Sequence, residues 1–295
     1  MKKIIIAVAS LILAGTVAHA QTSSYFGDLQ GVKGKAYQGM DISGDYMVSC
    51  QHSGITTIYD ISKGKPEKVS QFNLASTHEN NHCNVVSFGI EKAEKSDILP
   101  LMYISQCHKK TVDGRKDVLY VERVLPGMNS SELVQTIMYD DINKDFGYAL
   151  QWVIDTKNKM LYGYGNTINN NDPANRHRVI KFHLPKLSEG DFVVLKSEDA
   201  LENYTIEEVS DFKFNPIGQG LYIYKGKLYM PTGVDTAKKP SILYVWDLNT
   251  KTMEKVDLSK ITKSEFEDIT FYKKEPKGKA SFIIQSQGGL YKITL

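Results

Sequence analysis

The sequence predicts an all-β protein with the architecture of a five-bladed β-propeller. Short runs rich in Val, Ile, Tyr, Phe and Thr recur between turn residues along the chain, and long stretches with helical periodicity are almost absent. A pattern of strands in residues 36–74 recurs in residues 217–258, and three weaker copies occupy the rest of the chain. Each copy has the length and strand order of one blade, so the repeat predicts the architecture.

The first residues have the pattern of a secretory signal peptide. Lys2 and Lys3 precede an apolar stretch from Ile4 to Leu13, and the small residues end in Ala18-His19-Ala20. We predict cleavage near Ala20, which leaves residues 21–295 as a single propeller domain in the periplasm or outside the cell of a bacterium. No later stretch reaches the roughly 20 apolar residues of a transmembrane helix, so we expect no membrane insertion.

Composition argues against nucleic acid as a partner. The chain has 36 basic and 34 acidic side chains, and the signal holds two of the lysines, so the mature chain is balanced when its histidines are neutral. Binding to nucleic acid needs a basic surplus on one face, and none is visible. Cys50, Cys83 and Cys107 are too few to build a disulfide scaffold, and their odd number leaves at least one thiol unpaired in a monomer.

Two copies of the repeat are clear. The first runs from Ala36 to Leu74 and the second from Ile217 to Leu258, each as strand, tight turn, strand, variable loop, strand and a final run. Three weaker copies open at Asn84, Leu150 and Glu267. Together they predict five blades. A six-bladed ring is the alternative, because the second and third copies are long enough to hide an extra hairpin.

The last copy lacks one strand. Its third strand ends at Thr294, and the segment from Ser24 to Val32 is free to supply the fourth. A strand taken from the other end of the chain would close the ring and leave no open sheet edge. One short helix is predicted, around Ser197 to Tyr204, where a serine precedes Glu-Asp-Ala-Leu-Glu and would cap it.

The blade pattern resembles that of secreted bacterial β-propellers in general. A polar residue and a glycine precede an apolar strand, and Tyr59-Asp60 or Trp246-Asp247 closes the third strand. The chain is similar to WD-type repeats only at Trp246-Asp247, and it lacks the Gly-His element of that family. The resemblance covers nearly the whole mature chain as architecture. It implies no single function, because propellers serve as lectins, glycosidases, lyases and docking platforms.

Polar side chains recur where the innermost strands begin and where the second strands end. In a propeller both positions open on one face, so we expect one polar pocket there. Amides donate and accept hydrogen bonds, and with flat rings nearby at Tyr37, Trp152 and Tyr164 they suit a hydroxyl-rich ligand such as a sugar. The predicted ligand-binding residues are Gln38, His52, His82, Asn84, His108, Gln151, Trp152, Asn166, Gln219, Glu267 and Gln285. The alternative is that such a ring only satisfies strand ends and channel waters.

Three histidines of adjacent blades fall on this face. If their rings came together, His52, His82 and His108 would bind zinc or another divalent metal, although each alone is typical of a strand end bonded to backbone. We therefore predict no resident cofactor and keep a divalent metal on these histidines as the alternative. Residues 78–82 also fit the H-E-x-x-H pattern of zinc proteases. The two asparagines inside that pattern are poor helix formers and predict a turn.

Candidates for catalysis lie on the same face. Hydrolysis of a glycosidic bond uses two carboxyl groups about 5 to 10 Å apart. Glu267 and Asp268 are adjacent on a strand and point to opposite faces, so only one of them faces the channel. An elimination needs less, because one base such as His82 suffices beside a group that neutralises the substrate's acid.

Three functions are consistent with these patterns. The leading hypothesis is an exported protein that binds a small polar or glycan ligand on this face. The first alternative is a carbohydrate-active hydrolase or lyase at the same place, with Glu267, Asp268 or His82 in catalysis. The second is a protein-docking scaffold that uses the long loops at residues 93–100 and 169–177.

Overall fold

The computed structural model describes residues 17–19, 22–107, 111–112, 114–115, 117–141, 143–147, 149–212 and 218–295. These residues form five sheets with a single turn of α-helix, α1 (Ile206–Val209). The predicted all-β class and five-bladed architecture are confirmed, and no sixth sheet occurs among the described residues. Residues 1–16 and 20 of the predicted signal peptide lie outside them, so the signal stays a prediction.

Five sheets follow one another along the chain as blades 1 to 5. Two strands precede them, β1 (Val17–His19) and β2 (Thr22–Asp28). Blade 1 is β3 (Tyr37–Ser43), β4 (Tyr46–Gln51), β5 (Ile55–Asp60) and β6 (Glu67–Asn73). Blade 2 is β7 (Val85–Phe88), β8 (Met102–Ser105), β9 (Val118–Val124) and β10 (Ser131–Asp140). Blade 3 is β11 (Leu150–Asp155), β12 (Met160–Asn166), β13 (His177–His183) and, after β14 (Phe192–Lys196), β15 (Glu202–Thr205).

The remaining strands form blades 4 and 5. Blade 4 is β16 (Tyr222–Tyr224), β17 (Lys227–Thr232), β18 (Ile242–Asp247) and β19 (Thr252–Asp257). Blade 5 is β20 (Asp268–Lys274), β21 (Ala280–Ser286) and β22 (Gly289–Thr294), and β2 pairs antiparallel with β22. Blades 2 and 4 carry an extra parallel strand, β14 on β10 and β1 on β19. The inner strands β3, β7, β11, β16 and β20 contact one another in this order, and β20 also contacts β3.

The predicted helix near residue 200 is wrong. Ser197–Asp199 form one turn of 3-10 helix, and β15 follows from Glu202. Helix α1 begins only after β15, where Thr205 and Glu208 form a capping box. Other 3-10 turns are Leu187–Glu189 and Pro276–Gly278. The strand forms because residues 202–205 pair with β13 as the outer edge of blade 3, and this pairing outweighs the local preference for helix.

Apolar side chains fill the space between neighbouring blades. One buried cluster lies between each pair, and the last joins blade 5 to blade 1 through Ile283, Leu290, Met40 and Tyr59. Because both faces of a blade are covered, middle strands such as β4 are buried along nearly their whole length instead of alternating. The three cysteines lie buried with free thiols. None of the described helices is long and apolar enough to span a membrane.

Two glycines of the repeat explain why a polar residue is followed by glycine where an inner strand begins. A Cβ at Gly220 would lie 2.0 Å from Asp268 Oδ1, and one at Gly39 would lie 2.7 Å from the carbonyl oxygen of Cys83. Both distances are too short for a side chain, because the next blade approaches the backbone at this level. The glycines therefore let the inner strands come together, and they leave Gln38 and Gln219 at the end of the channel.

Candidate functional site at the channel mouth

Parallel inner strands place five polar residues at one end of the channel, the strand-start mouth. They are Gln38, Asn84, Gln151, Gln219 and Glu267, each next to or at the beginning of its strand. Hydrogen bonds connect them across blades. Asn84 Nδ2 and Gln151 Nε2 both donate to the carbonyl oxygen of Gln219, at 2.6 and 2.5 Å. The sequence-based prediction thus names residues that the fold brings together.

Gln285 joins this group from the second strand of blade 5. Its Nε2 donates to the backbone carbonyl oxygen of Gln38 at 3.0 Å. Its backbone carbonyl oxygen accepts from the backbone N–H of Glu267 at 3.0 Å. Like Asn84 and Gln151, it is buried. Gln151 and Gln285 each bond a neighbouring blade through the amide nitrogen, whereas Asn84 of blade 2 bonds blade 4.

The oxygens of the same three amides are differently placed. Asn84 Oδ1, Gln151 Oε1 and Gln285 Oε1 are buried and accept no hydrogen bond within the described part of the chain. A buried amide oxygen without a partner costs about 1–3 kcal/mol, so such atoms are uncommon in native proteins. Three of them at one mouth present acceptors to any group that donates hydrogen bonds there.

Two carboxyl groups lie beside these amides. Glu265 Oε1 accepts from Gln219 Nε2 at 2.5 Å, and Ser286 Oγ donates to the Glu265 carbonyl oxygen at 2.8 Å. Burial, together with the charge of Glu265, raises the pKa of Glu267 to about 8. At neutral pH Glu267 is therefore mostly protonated and can give up a proton close to that pH.

Sequence reasoning missed Glu265. The signal was present, because Glu265 and Glu267 flank the buried Phe266 and alternate side chains of an extended segment share one face. The predicted repeat opens at Glu267, and Glu265 lies just before it.

Two of the predicted histidines meet. His52 Nδ1 and His82 Nδ1 are 3.2 Å apart, with the rings edge to face, so one ring donates to the other. The third, His108, lies outside the described residues. Among the residues that the structure describes, no three His, Cys, Asp or Glu side chains form a group that could hold a metal ion. The divalent-metal alternative stays a prediction that depends on His108.

The H-E-x-x-H pattern forms a turn, as the asparagines predicted. The backbone of Asn81 donates to the carbonyl oxygen of His78, and the Asn81 side chain bonds Ser76 and Cys83. His78 Nδ1 accepts from the backbone of Asn80 at 3.1 Å. These bonds stabilise the loop into blade 2, and the pattern has no helical face on which to present two ligands.

The prediction for Trp152 is wrong. Its side chain is 1% exposed in the apolar cluster between blades 2 and 3, and its Nε1 donates to the carbonyl oxygen of Asp117 at 3.0 Å. Tyr164 is buried as well and stacks on His177, while Tyr37 is half-buried and bonds Leu29 and Gly31. The flat rings expected beside a sugar are therefore part of the core or bonded to backbone.

Asp268 has a structural role. It is fully buried, with Oδ2 accepting from the backbone of Met40 at 2.7 Å and Oδ1 from those of Leu221 and Ile269 at 3.2 and 2.8 Å. Its carboxyl group connects the inner strands of blades 4, 5 and 1. The predicted part of Asp268 in catalysis stays a prediction.

Asn166 lies at the end of β12, beside the beginning of β11. Its Oδ1 accepts from Asn175 Nδ2 at 2.7 Å and so anchors the loop of residues 167–176. Two aspartates at matching positions of the repeat bind turn backbone: Asp60 accepts from Ser62, and Asp247 accepts from Asn249 and Thr250.

Comparison with known proteins supports the fold and does not identify a function. No protein-family model matches the sequence, and no curated protein is similar to it in sequence. The tail fibre of Staphylococcus aureus phage P68 superposes with a TM-score of 0.54 at 12% identity, over 92% of this chain and 52% of the fibre. Glutaminyl cyclase of Myxococcus xanthus superposes with a TM-score of 0.51 at 11% identity, over 92% of this chain and 95% of the cyclase. The chain thus spans about half the length of the fibre, and at these identities the likeness shows the fold alone.

Proposed function

We propose that this chain is an exported protein that binds a small polar ligand at the strand-start mouth through groups that donate hydrogen bonds. The observation that carries the proposal is the set of three buried amide oxygens without a partner, on Asn84, Gln151 and Gln285. Sugar hydroxyls are donors that match such acceptors, so glycans are the first ligands to test.

The acids beside the amides favour donors over acceptors in the ligand. Glu265 already accepts from Gln219, and ligand acceptors would face its negative charge. The buried rings of Trp152 and Tyr164 remove stacking from the binding energy. Affinity in this proposal therefore comes from hydrogen bonds, and selectivity follows the spacing of donors in the ligand.

A second candidate is an enzyme that transfers protons at the same mouth. The raised pKa of Glu267 favours it, since a carboxyl group that titrates near neutral pH can act as general acid or base. Cleavage or elimination of a glycan is one reaction to test. A glutaminyl peptide is another, because the Myxococcus protein of similar fold is a glutaminyl cyclase and loss of a leaving nitrogen is helped by a nearby acid.

Replacement of Gln151 by Met tests the binding proposal. This change keeps the shape of the side chain and removes the unpaired oxygen, so we expect at least a tenfold loss of affinity for whichever glycan of a panel binds the wild type, measured by calorimetry. Gln135→Met is the matched control. Gln135 lies in β10 of blade 2, is also buried, and has an Oε1 without a partner in the described chain. Its Nε2 donates to the carbonyl oxygens of Lys186 and Gly190. Equal affinity in both variants would contradict the proposal.

The two candidates separate at Glu267. If the site only binds, Glu267→Gln keeps a measurable dissociation constant and no substrate in the panel is turned over by the wild type. If it is an enzyme, the wild type releases product and the variant binds without turnover. A parallel series with divalent cations and a chelator tests the metal prediction at His52, His82 and His108.

A further inference from the structure

The opposite end of the channel, the strand-end mouth, has a cavity of its own. It has a volume of about 280 Å³ and is lined by residues from the ends of β3, β7 and β11 and from β16. The inner strands separate it from the amides of the strand-start mouth, so it is independent of the proposed function.

One carboxyl group faces this cavity. Asp41 is 4% exposed, and its oxygens accept from the backbones of Ile42 and Phe88, both at 2.7 Å, and from Thr270 Oγ1 at 2.5 Å. A carboxylate has about four lone-pair positions, and these three bonds leave one on Oδ2 for a further donor. The geometry fixes the carboxylate in place and keeps one acceptor position open toward the cavity.

The rest of the lining is apolar or uncharged. Phe88, Ile90 and Ile154 supply apolar walls, and Thr156 and Tyr222 supply hydroxyl groups. Burial raises the pKa of Tyr222, with Thr270 and Asp41 close by, so its phenol stays protonated at neutral pH. Among the described residues that line the cavity, Asp41 is the only one that carries a full charge at neutral pH, and that charge is negative.

We propose that this cavity binds a small organic cation, a primary ammonium group on a short apolar chain. The ammonium would donate to the open position of Asp41, and the chain would lie against Phe88, Ile90 and Ile154. The ring of Tyr222 adds an aromatic face that attracts a cation. A bare metal ion fits less well, because a hard cation takes six or more oxygen ligands and Asp41 supplies the one carboxylate among the described lining residues. An anion would be repelled by Asp41.

Calorimetric titration with matched probes tests the proposal. The cations are butylammonium and benzylammonium, the neutral isosteres are butanol and benzyl alcohol, and the anion is butyrate. We expect the ammonium probes to bind at least tenfold more tightly than the alcohols, and butyrate to show no binding. Equal binding of ammonium and alcohol, or no binding of either ammonium probe, would overturn the proposal.

Two surface variants decide the location. Ile90 and Ile98 are both 43% exposed, but only Ile90 lines the cavity. Ile90→Lys places a positive charge at the mouth and should weaken ammonium binding about tenfold, whereas Ile98→Lys should leave it unchanged. Equal effects of the two lysines would place the bound cation elsewhere and refute the assignment.

Asp41→Asn is the direct variant. It removes the charge, so binding of the ammonium probes should fall to the level of the alcohols. The asparagine also loses one acceptor position that the backbone amides use, so the variant is checked by circular dichroism. If it unfolds, the lysine pair still decides; if it folds and binds ammonium as tightly as the wild type, the proposal fails.

Discussion

At the strand-start mouth Glu267 has another carboxyl group beside it, whereas at the strand-end mouth Asp41 is surrounded by donors. Burial raises both pKa values, and Glu265 adds to the effect at Glu267, which reaches about 8. Bonds from Thr270, Phe88 and Ile42 oppose burial at Asp41, which reaches about 6. Glu267 is half-buried and Asp41 is buried, so burial alone would favour the higher pKa at Asp41. The two acids of one channel have different charges at neutral pH because their neighbours differ.

The other polar groups of the two mouths differ in the same way. At the strand-start mouth the amides of Asn84, Gln151 and Gln285 bond other blades through their nitrogens and have oxygens without a partner in the described chain. At the strand-end mouth Asp41 takes part in the bonds between blades, and the other described lining residues are uncharged. The first mouth therefore suits a ligand with several donors, and the second suits a single donor on an apolar chain.

Both mouths depend on the five blades staying together. We expect removal of β2 to disturb this arrangement more than any other change considered below. Deletion of residues 22–28 leaves the edge of β22 open and removes the packing of Phe26 on Tyr272. We expect the free energy of unfolding to fall by about 5 kcal/mol or more, measured by denaturant titration.

A control for this deletion keeps the chain length. Replacement of residues 22–28 by seven Gly and Ser residues should cost nearly as much, because the replacement pairs poorly and packs nothing. A deletion variant that unfolds at the same denaturant concentration as the wild type would show that β2 does not lock the ring.

Replacement of Asp268 by alanine should have the next largest effect. The change leaves the buried backbone amides of Met40 and Leu221 without their acceptor, so we expect a loss of about 3–5 kcal/mol in denaturant titration. Asp247→Ala is the control, since Asp247 also accepts from two backbone amides but does so in an exposed turn. The control should cost about 1 kcal/mol. Equal losses would mean that Asp268 does not connect the blades.

Much of the fold follows from the sequence because the repeat is local. The Gln-Gly pairs at residues 38–39 and 219–220 mark where inner strands begin. They are predictable because the glutamine lies at the mouth of the channel and the glycine lets the next blade approach the backbone. For the same reason the blade beginnings near Asn84, Leu150 and Glu267 are correct. Residues 197–204 fail because strand pairing with β13 is a contact of the tertiary structure.

The site is less predictable, because side-chain direction depends on neighbouring blades. Trp152 stands where a ring could face the mouth, yet its indole reaches Asp117 of blade 2 and is buried there. Asp268 and Glu267 are neighbours, but only the backbone of blades 1 and 4 determines which one is bonded. Likewise the unpartnered oxygens are visible only once the partners of the amide nitrogens are known.

Glutamine in place of Glu267 gives the smallest expected change and sharpens the contrast between the two acids. The pKa of Glu267 rises from an ordinary value of 4.5 to about 8 on folding. The folded chain therefore holds a proton that the unfolded chain releases between these values, and stability falls as pH rises through that window. The full shift corresponds to about 5 kcal/mol, and solvent screening of the half-buried Glu267 reduces it to about 2 kcal/mol. Glu267→Gln removes this loss, so the variant should match the wild type near pH 4 and exceed its free energy of unfolding by about 2 kcal/mol above pH 8. In Glu275→Gln the sign is reversed, because the hydrogen bond from Ser281 lowers the pKa of the exposed Glu275 and its removal costs stability above pH 4.5. Denaturant titrations across this pH range measure both slopes, and a Glu267→Gln variant that follows the wild type at every pH would mean that Glu267 is not held in a buried, acid-flanked position.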